Sequence, residues 1–392
     1  MNLDDALIVS LTAVSAAAVA NIIGASLYDL KQVRLRHRRA LKPNSKQFRR
    51  RPLVTVIIPA HDNEKIIRDS LQSLVGSSYR KVEVIVADNG SSDGTKRVVR
   101  EFSKTHPKKA IMLYAKRRQI DDKQLVSEAF RRYGHGELVV CLKAGSVLGK
   151  NSLAKAAQHF NDNERVDAAR LNQQAAHGLY ISGLFQEFGL LFWSRSMKAA
   201  SAFNRRGFES GQDNPYAILY SADAFRGLGH KRSKSIYKAV YASDSIVYVP
   251  CLTLSRLIGQ TYSRKLNSLR SNFKITASAQ VTKDDAGQIL RLGASFLRAL
   301  AWLVVPAILT YFTYLAVHLH EPTFILASWA AMALFAAFAI WEDEQLGLRQ
   351  KLRYTLLMPI NYGWFYIILS LINYVVLLTS FLALRTKPFK TP

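Results

Sequence analysis

The chain has 392 residues and a formal net charge of +26, with 54 Lys and Arg against 28 Asp and Glu. That length exceeds one small core, and the apolar residues are gathered unevenly along it. A chain this basic raises nucleic-acid binding, but it has no zinc-finger spacing, RNP-like aromatic motif or isolated recognition helix, and its long apolar stretches argue against that class.

The first apolar stretch, Ala6 to Leu27, carries no charge over about 22 residues, against the roughly 20 a helix needs to cross a bilayer. Asp4 and Asp5 precede it and the basic residues follow it, the reverse of a cleaved secretory leader, so it reads as a retained anchor covering residues 1–30. Residues 31–51, "KQVRLRHRRALKPNSKQFRRR", contain no acid. The positive-inside rule makes them a cytoplasmic linker and puts the following domain in the cytoplasm. Anionic headgroups are their expected partner, at about 1 kcal/mol per basic residue near the surface.

Residues 52–275 read as an α/β domain. "LVTVIIPA", Leu53 to Ala60, is a β-branched run suited to a strand buried on both faces. Ile66, Ile67, Leu71, Leu74 and Val75 follow at helical spacing. Val82 to Ala87 is a second buried strand, ending in the turn "DNGSSDGT", and Val98 to Phe102 continues as helix. "AIMLYA" gives a third strand, Lys123 to Tyr133 a helix, and "ELVVCL" a fourth strand, with Leu138 to Leu142 buried. Alternation at this pace implies right-handed crossovers and a mostly parallel sheet, with a ligand expected at the strand C-termini. Cys141 and Cys251 sit in apolar contexts without a His or Cys at ligand spacing, and read as reduced core residues.

Residues 276–296 form a linker or interfacial segment, and residues 297–384 a transmembrane region of about three helices, followed by a tail, 385–392. Leu297 to Leu319, Pro322 to Trp341 and Leu356 to Leu384 are each long enough to span. The last, with Pro359, Asn361 and Gly363, is either one tilted helix or a short in-plane helix followed by a span. A single final span would leave "RTKPFKTP" outside, against the charge rule.

"VTVIIPAHDNEKIIRDSLQSL" followed by "VEVIVADNGSSDGT" resembles the nucleotide-binding half of family 2 glycosyltransferases, which have the GT-A fold. Leu53 to about Phe160 carries the likeness; beyond Tyr262 it is one of architecture, that of membrane-anchored hyaluronan, chitin-oligosaccharide and poly-N-acetylglucosamine synthases. The resemblance implies an integral membrane protein of a bacterial inner membrane. It implies transfer from a nucleotide sugar, a UDP-sugar above all, to a polysaccharide, lipid or other envelope glycan, with polysaccharide-synthesis proteins as partners. Pro59, Ala60 and Glu64 match the first motif, with Asp62-Asn63 where Asn-Glu is usual. Asp88 matches the aspartate holding the uracil and ribose end, Asn89 replaces a second acid, and Lys123 matches a lysine near the nucleotide. Ser91 to Thr95 fit too, either as turn and cap residues alone or as part of the site.

The strand matching "ELVVCL" ends in the family with an Asp-x-Asp pair that holds Mg²⁺ or Mn²⁺ against the departing diphosphate. Here the triplet is Lys143-Ala144-Gly145. The resemblance further implies a carboxylate base, for which Asp213, Asp223 and Asp244 are the candidates, and a Gln-x-x-Arg-Trp helix, weakly echoed by Gln260 and Arg264. Two functions follow. One is a transferase without metal, in which Lys143, with Lys123 or Arg264, stabilises the leaving diphosphate. The other is an inactive relative serving as partner or scaffold of a polysaccharide-assembly system.

Overall fold

The computed structural model describes residues 51–116, 119–160, 166–176, 181–203, 216–227, 239–263 and 347–357, with isolated positions elsewhere. The segments read as membrane spans lie outside these residues apart from such isolated positions. Among the described residues no helix is long and apolar enough to cross a membrane. Two compact units divide the chain: one is Asn21–Leu179 with Gly189–Cys251, the other Met1–Ala20, Tyr180–Phe188 and Leu252–Pro392.

The first unit is built on an eight-stranded sheet. In chain order its elements begin β1 (Val54–Ala60), α1 (Ile67–Val75), β2 (Val82–Asn89), α2 (Thr95–Thr105), β3 (Ala110–Lys116), α3 (Asp122–Tyr133) and β4 (Leu138–Cys141). They continue β5 (Val147–Leu148), α4 (Ser152–Gln158), β6 (Ala168–Ala175), α5 (Ile181–Phe203, which begins in the other unit), β7 (Ile218–Ser221), α6 (Ala222–Gly227) and β8 (Ala239–Val249). The four strands expected from sequence all form, and β1, β2 and β4 are buried at every position. Alternate residues of β1 serve two cores. Val54, Val56 and Ile58 pack with Ile67, Leu71, Val99 and Leu153, while Ile57 packs with Ile85, Leu125, Phe130 and Tyr220. Burial on both faces is why these strands read as unbroken apolar runs.

The sheet order is β3-β2-β1-β4-β7-β6-β8-β5. Strands β3, β2, β1 and β4 are parallel, but β7 runs antiparallel to β4 and to β6, and β5 antiparallel to β8. The expected mostly parallel sheet is therefore mixed. The strand–helix–strand alternation that imposes parallel pairing ends at β4; β7 follows β6 and the long α5, is inserted between β4 and β6, and runs opposite to both. Only five residues separate β4 from β5, yet β5 pairs with β8 at the far end of the order, so the sheet curls back towards the end of β4.

The order of strand addition reverses about β1, with β2 and β3 on one side and β4 on the other, all four parallel. This is the switch point at which α/β sheets open a crevice beyond their strand C-termini. Pro59 shapes it. The Ile57 carbonyl accepts from Leu142 N–H, so Ile57 and Pro59 face β4, and Pro59 arrives where that strand has ended. An interior proline costs no ladder bond there, because none remains to be made.

Candidate functional site

Two turns at the C-terminal edge are tied to each other. Asp62 has φ +50 and its Oδ1 accepts from the Ser92 N–H at 2.8 Å and from the Asp93 N–H at 3.3 Å. In return Asp93 Oδ2 accepts from Glu64 N–H at 3.0 Å, and Thr95 Oγ1 from Asn63 N–H at 2.8 Å. Glu64 Oε2 accepts from Gly94 N–H at 3.0 Å, and its other oxygen pairs with Arg97. A side chain at position 94 would collide with that carboxyl group, its Cβ falling 2.2 Å from Oε1. The Ser92 N–H holds the Asp62 carboxyl below its ordinary value, with burial opposing and the Asp93 N–H and Ser92 hydroxyl assisting. Burial pushes Asp93 up, but bonds from the Thr95 hydroxyl and the Glu64 and Thr95 N–H groups outweigh it, and its pKa is lowered.

Asp88 lies under these turns, at 0 % exposure. Its Oδ2 is 3.5 Å from Lys96 Nζ and 3.3 Å from the Ser91 N–H donor. Its Oδ1 is buried with no hydrogen-bond partner among the described residues. A buried carboxylate oxygen left without a donor is costly, so the position is ready for one from a ligand. Asn89 points elsewhere: its Nδ2 donates to the Ile120 carbonyl at 2.8 Å, and its Oδ1 accepts from Ile120 N–H at 2.9 Å. It clamps the chain ahead of α3. Lys123 sits in the first turn of α3, exposed, with Asp121 Oδ2 accepting from its N–H at 3.0 Å.

The third turn leaves β4 on the opposite side of β1. Ala60 pairs with Asp88 and Ile57 with Cys141, which brings Lys143 level with Pro59. Two strand spacings, about 10 Å, thus separate the backbones of Asp88 and Lys143 across the sheet. The Lys143 carbonyl accepts from Ser146 N–H at 3.0 Å, and Gly145 takes φ +83 between Ile66 and Pro250. Lys143 Nζ stands 5.2 Å from the centroid of the Tyr216 ring. The Tyr216 hydroxyl in turn donates to Asp122 Oδ2 at 2.8 Å.

The triplet at this turn does not fit a divalent cation. An ammonium has no lone pair to give, and alanine and glycine side chains have no donor atom. Among the described residues no group of three or more His, Cys, Asp and Glu stands close enough to hold a metal ion.

Pro59, Ala60, Asp88 and Lys143 therefore meet at one edge. Glu64 and Asn89 belong to the same edge but spend their polar atoms bracing the turns. The expected bases do not gather with them. Asp223 lies in the first turn of α6, next to β7 Ser221, which pairs with Leu138 at the start of β4. That is the N-terminal edge of the sheet, and the Asp223 side chain is 96 % exposed beside Arg226. Asp244 lies in β8, six residues before Pro250, in the stretch that slips register against β6. Its carbonyl accepts from Lys155 Nζ of α4 at 3.3 Å, well down the strand from Gly145. Asp213 and Arg264 lie outside the described residues, and Gln260 falls in helical residues of the other unit. Asp122 and Tyr216 escaped the sequence reading. Asp122 looks like an ordinary acid of a helix first turn, and 94 residues separate it from the tyrosine it binds.

Residues 55–225 match the family model described as Glycosyl transferase family 2. A poly-beta-1,6-N-acetyl-D-glucosamine synthase of Staphylococcus epidermidis is 24% identical over 155 residues, 38% of this chain and 37% of that one. The glycosyltransferase AglE of Haloferax volcanii is 38% identical over 85 residues, 21% of this chain and 26% of the relative. The match thus spans little more than a third of the first relative's length and about a quarter of the second's. Among solved structures, a mannosyltransferase of Pyrobaculum calidifontis in complex with GDP-Man and Mn²⁺ aligns with a TM-score of 0.53 at 20% identity. It covers 89% of this chain and 98% of its own, a likeness of fold.

Proposed function

We propose, from a chain that carries a glycosyl transferase family 2 domain over residues 55–225, that it transfers a sugar from a nucleotide-sugar donor without a metal at the β4 turn. The observation that carries this reading is the buried Asp88, whose Oδ1 has no partner among the described residues, at the strand edge facing the switch point. A carboxylate only accepts, so Asp88 suits a base that presents a ring N–H, as uracil and guanine do and adenine does not. Lys143, across β1, supplies positive charge for the diphosphate.

In the transfer an acceptor hydroxyl attacks the anomeric carbon as the sugar–phosphate C–O bond breaks. The electron pair leaves on the nucleoside diphosphate, whose growing charge the Lys143 ammonium offsets. The hydroxyl proton passes to a carboxylate. Of the three sequence candidates, Asp213 is the one that remains, since Asp223 and Asp244 lie away from the edge. The acceptor belongs to an envelope glycan, a polysaccharide or a lipid, and the domain works on the cytoplasmic side of a membrane. The uncharged stretch at residues 6–27 and the acid-free basic stretch after it support that placement.

A second reading is a nucleotide-binding partner of a polysaccharide-assembly system without turnover. One observation favours it: neither Asp223 nor Asp244 approaches Asp88. Incubating the purified full chain with UDP-sugars and GDP-sugars, with and without Mn²⁺, and measuring released nucleoside diphosphate decides between them. Turnover that persists in EDTA and falls in Lys143→Ala supports transfer. Binding without any release, with every acceptor tried, leaves the second reading, and strict dependence on Mn²⁺ overturns the metal-free account.

A further inference from the structure

The cation that stands in place of the acidic pair is itself held in position. Lys143 Nζ lies over the Tyr216 ring, Tyr216 donates its hydroxyl to Asp122, and the other Asp122 oxygen is 3.4 Å from Asn89 Nδ2. The three contacts run from the β4 turn through the entry to β7 and the first turn of α3 to the end of β2. The backbone holds this register. Tyr216 bridges Cys141, and the Ala217 N–H donates to the Cys141 carbonyl at 2.8 Å. Ala217 takes φ +57, a conformation that residues other than glycine rarely adopt. Burial first, and then the Asp122 charge, push the Tyr216 phenol far above its ordinary range, so the hydroxyl remains a donor.

On the reading of this edge as a nucleotide-sugar site, we propose that Tyr216 and Asp122 are positioning residues that keep the Lys143 ammonium aimed at the diphosphate. A lysine on a flexible four-carbon stem loses rotamer freedom when it binds a phosphate, and an aromatic face that restrains it beforehand reduces that loss. The ring face attracts the ammonium without neutralising it. Asp122 acts one step removed: it orients the phenol and, by accepting its hydrogen bond, enriches the ring electrostatically.

The test is calorimetric titration of the full chain in EDTA with UDP and GDP, each beside its own nucleoside, for the wild type and four variants. Lys143→Ala lowers affinity for the diphosphate about tenfold or more and leaves the nucleoside unchanged, while Lys143→Arg restores most of the loss. Tyr216→Leu weakens diphosphate binding about fivefold, again sparing the nucleoside. Tyr216→Phe keeps the ring without the bond to Asp122 and falls between wild type and Tyr216→Leu. The proposal is overturned if Tyr216→Leu binds diphosphate as the wild type does. It is equally overturned if nucleoside and diphosphate weaken together, since that marks damage to the pocket. A Lys143→Ala loss with no Tyr216→Leu loss removes the positioning role and leaves the site. Wild-type protein that binds neither diphosphate nor nucleoside removes both.

Discussion

On the β2 side of Pro59 and Ala60, carboxylates meet backbone N–H groups; on the β4 side, an ammonium meets an aromatic face. The β2 side is a closed set of reciprocal bonds, Asp62 to Ser92 and Asp93, Asp93 to Glu64, and Glu64 to Gly94. Each of these carboxylates meets a backbone N–H of the facing turn or of its own loop. The β4 side rests on one glycine at positive φ, one cation over a ring and one tyrosine brought in from β7. It has the strand and the turn, and carries Lys143 where the resemblance implies an acid.

The largest effect that sharpens this contrast is at Asp88, the residue beneath the two tied turns. Asp88→Ala removes the buried acceptor and leaves Lys96 without it, so nucleotide affinity should fall about 10- to 100-fold, measured by calorimetry. Unchanged affinity would remove the base-recognition role. Next is the brace between turns. Glu64→Ala leaves the Gly94 N–H unmet and should cost about 1 to 2 kcal/mol of stability, read as an earlier midpoint in urea unfolding. If the midpoint stays put, the brace contributes nothing and the two sides differ less than argued.

On the β4 side, Gly145→Ala should cost about 1 to 2 kcal/mol, because an L side chain is strained at φ +83 and its Cβ would meet Ile66 at 3.1 Å and Pro250 at 3.3 Å. The same assay checks it, and a neutral result would show that the turn relaxes freely. The smallest effect is one of pH. Asp62 and Asp93 have folded-state pKa values below 3.8, so their contribution is fully present above that value and is lost as pH falls through the folded pKa values. Thermal unfolding from pH 5 down to pH 2.5 should show a smaller acid loss in Asp62→Asn and Asp93→Asn than in the wild type. Parallel curves for all three proteins would contradict it.

How much of this could be read from sequence follows the same division. Strands β1, β2 and β4 were legible because burial on both faces demands unbroken runs such as "VTVIIPA" and "VEVIVADN". Strand β6 was not, since "AARLNQQA" mixes Arg, Asn and Gln into a strand whose outward positions are half-buried. Strand β7 is four residues long, too short to display a period. The change at Lys143 was visible because a family pattern exists to depart from. Its support was not, because the Cys141 to Tyr216 bridge joins residues distant in the chain and leaves no local signal. Two of the base candidates lie elsewhere for a related reason. Asp223 and Asp244 were chosen by order along the chain, and the antiparallel return of β7 and the curl towards β8 carry them from the strand edge that matters.

The most direct measurement is the affinity of the full chain for UDP and GDP, taken once in EDTA and once with excess Mn²⁺, for wild type and Lys143→Ala. The account predicts that one of the two nucleotides binds equally well in both conditions and loses about tenfold or more in the variant. Binding that appears only with Mn²⁺, or that Lys143→Ala leaves intact, would contradict it.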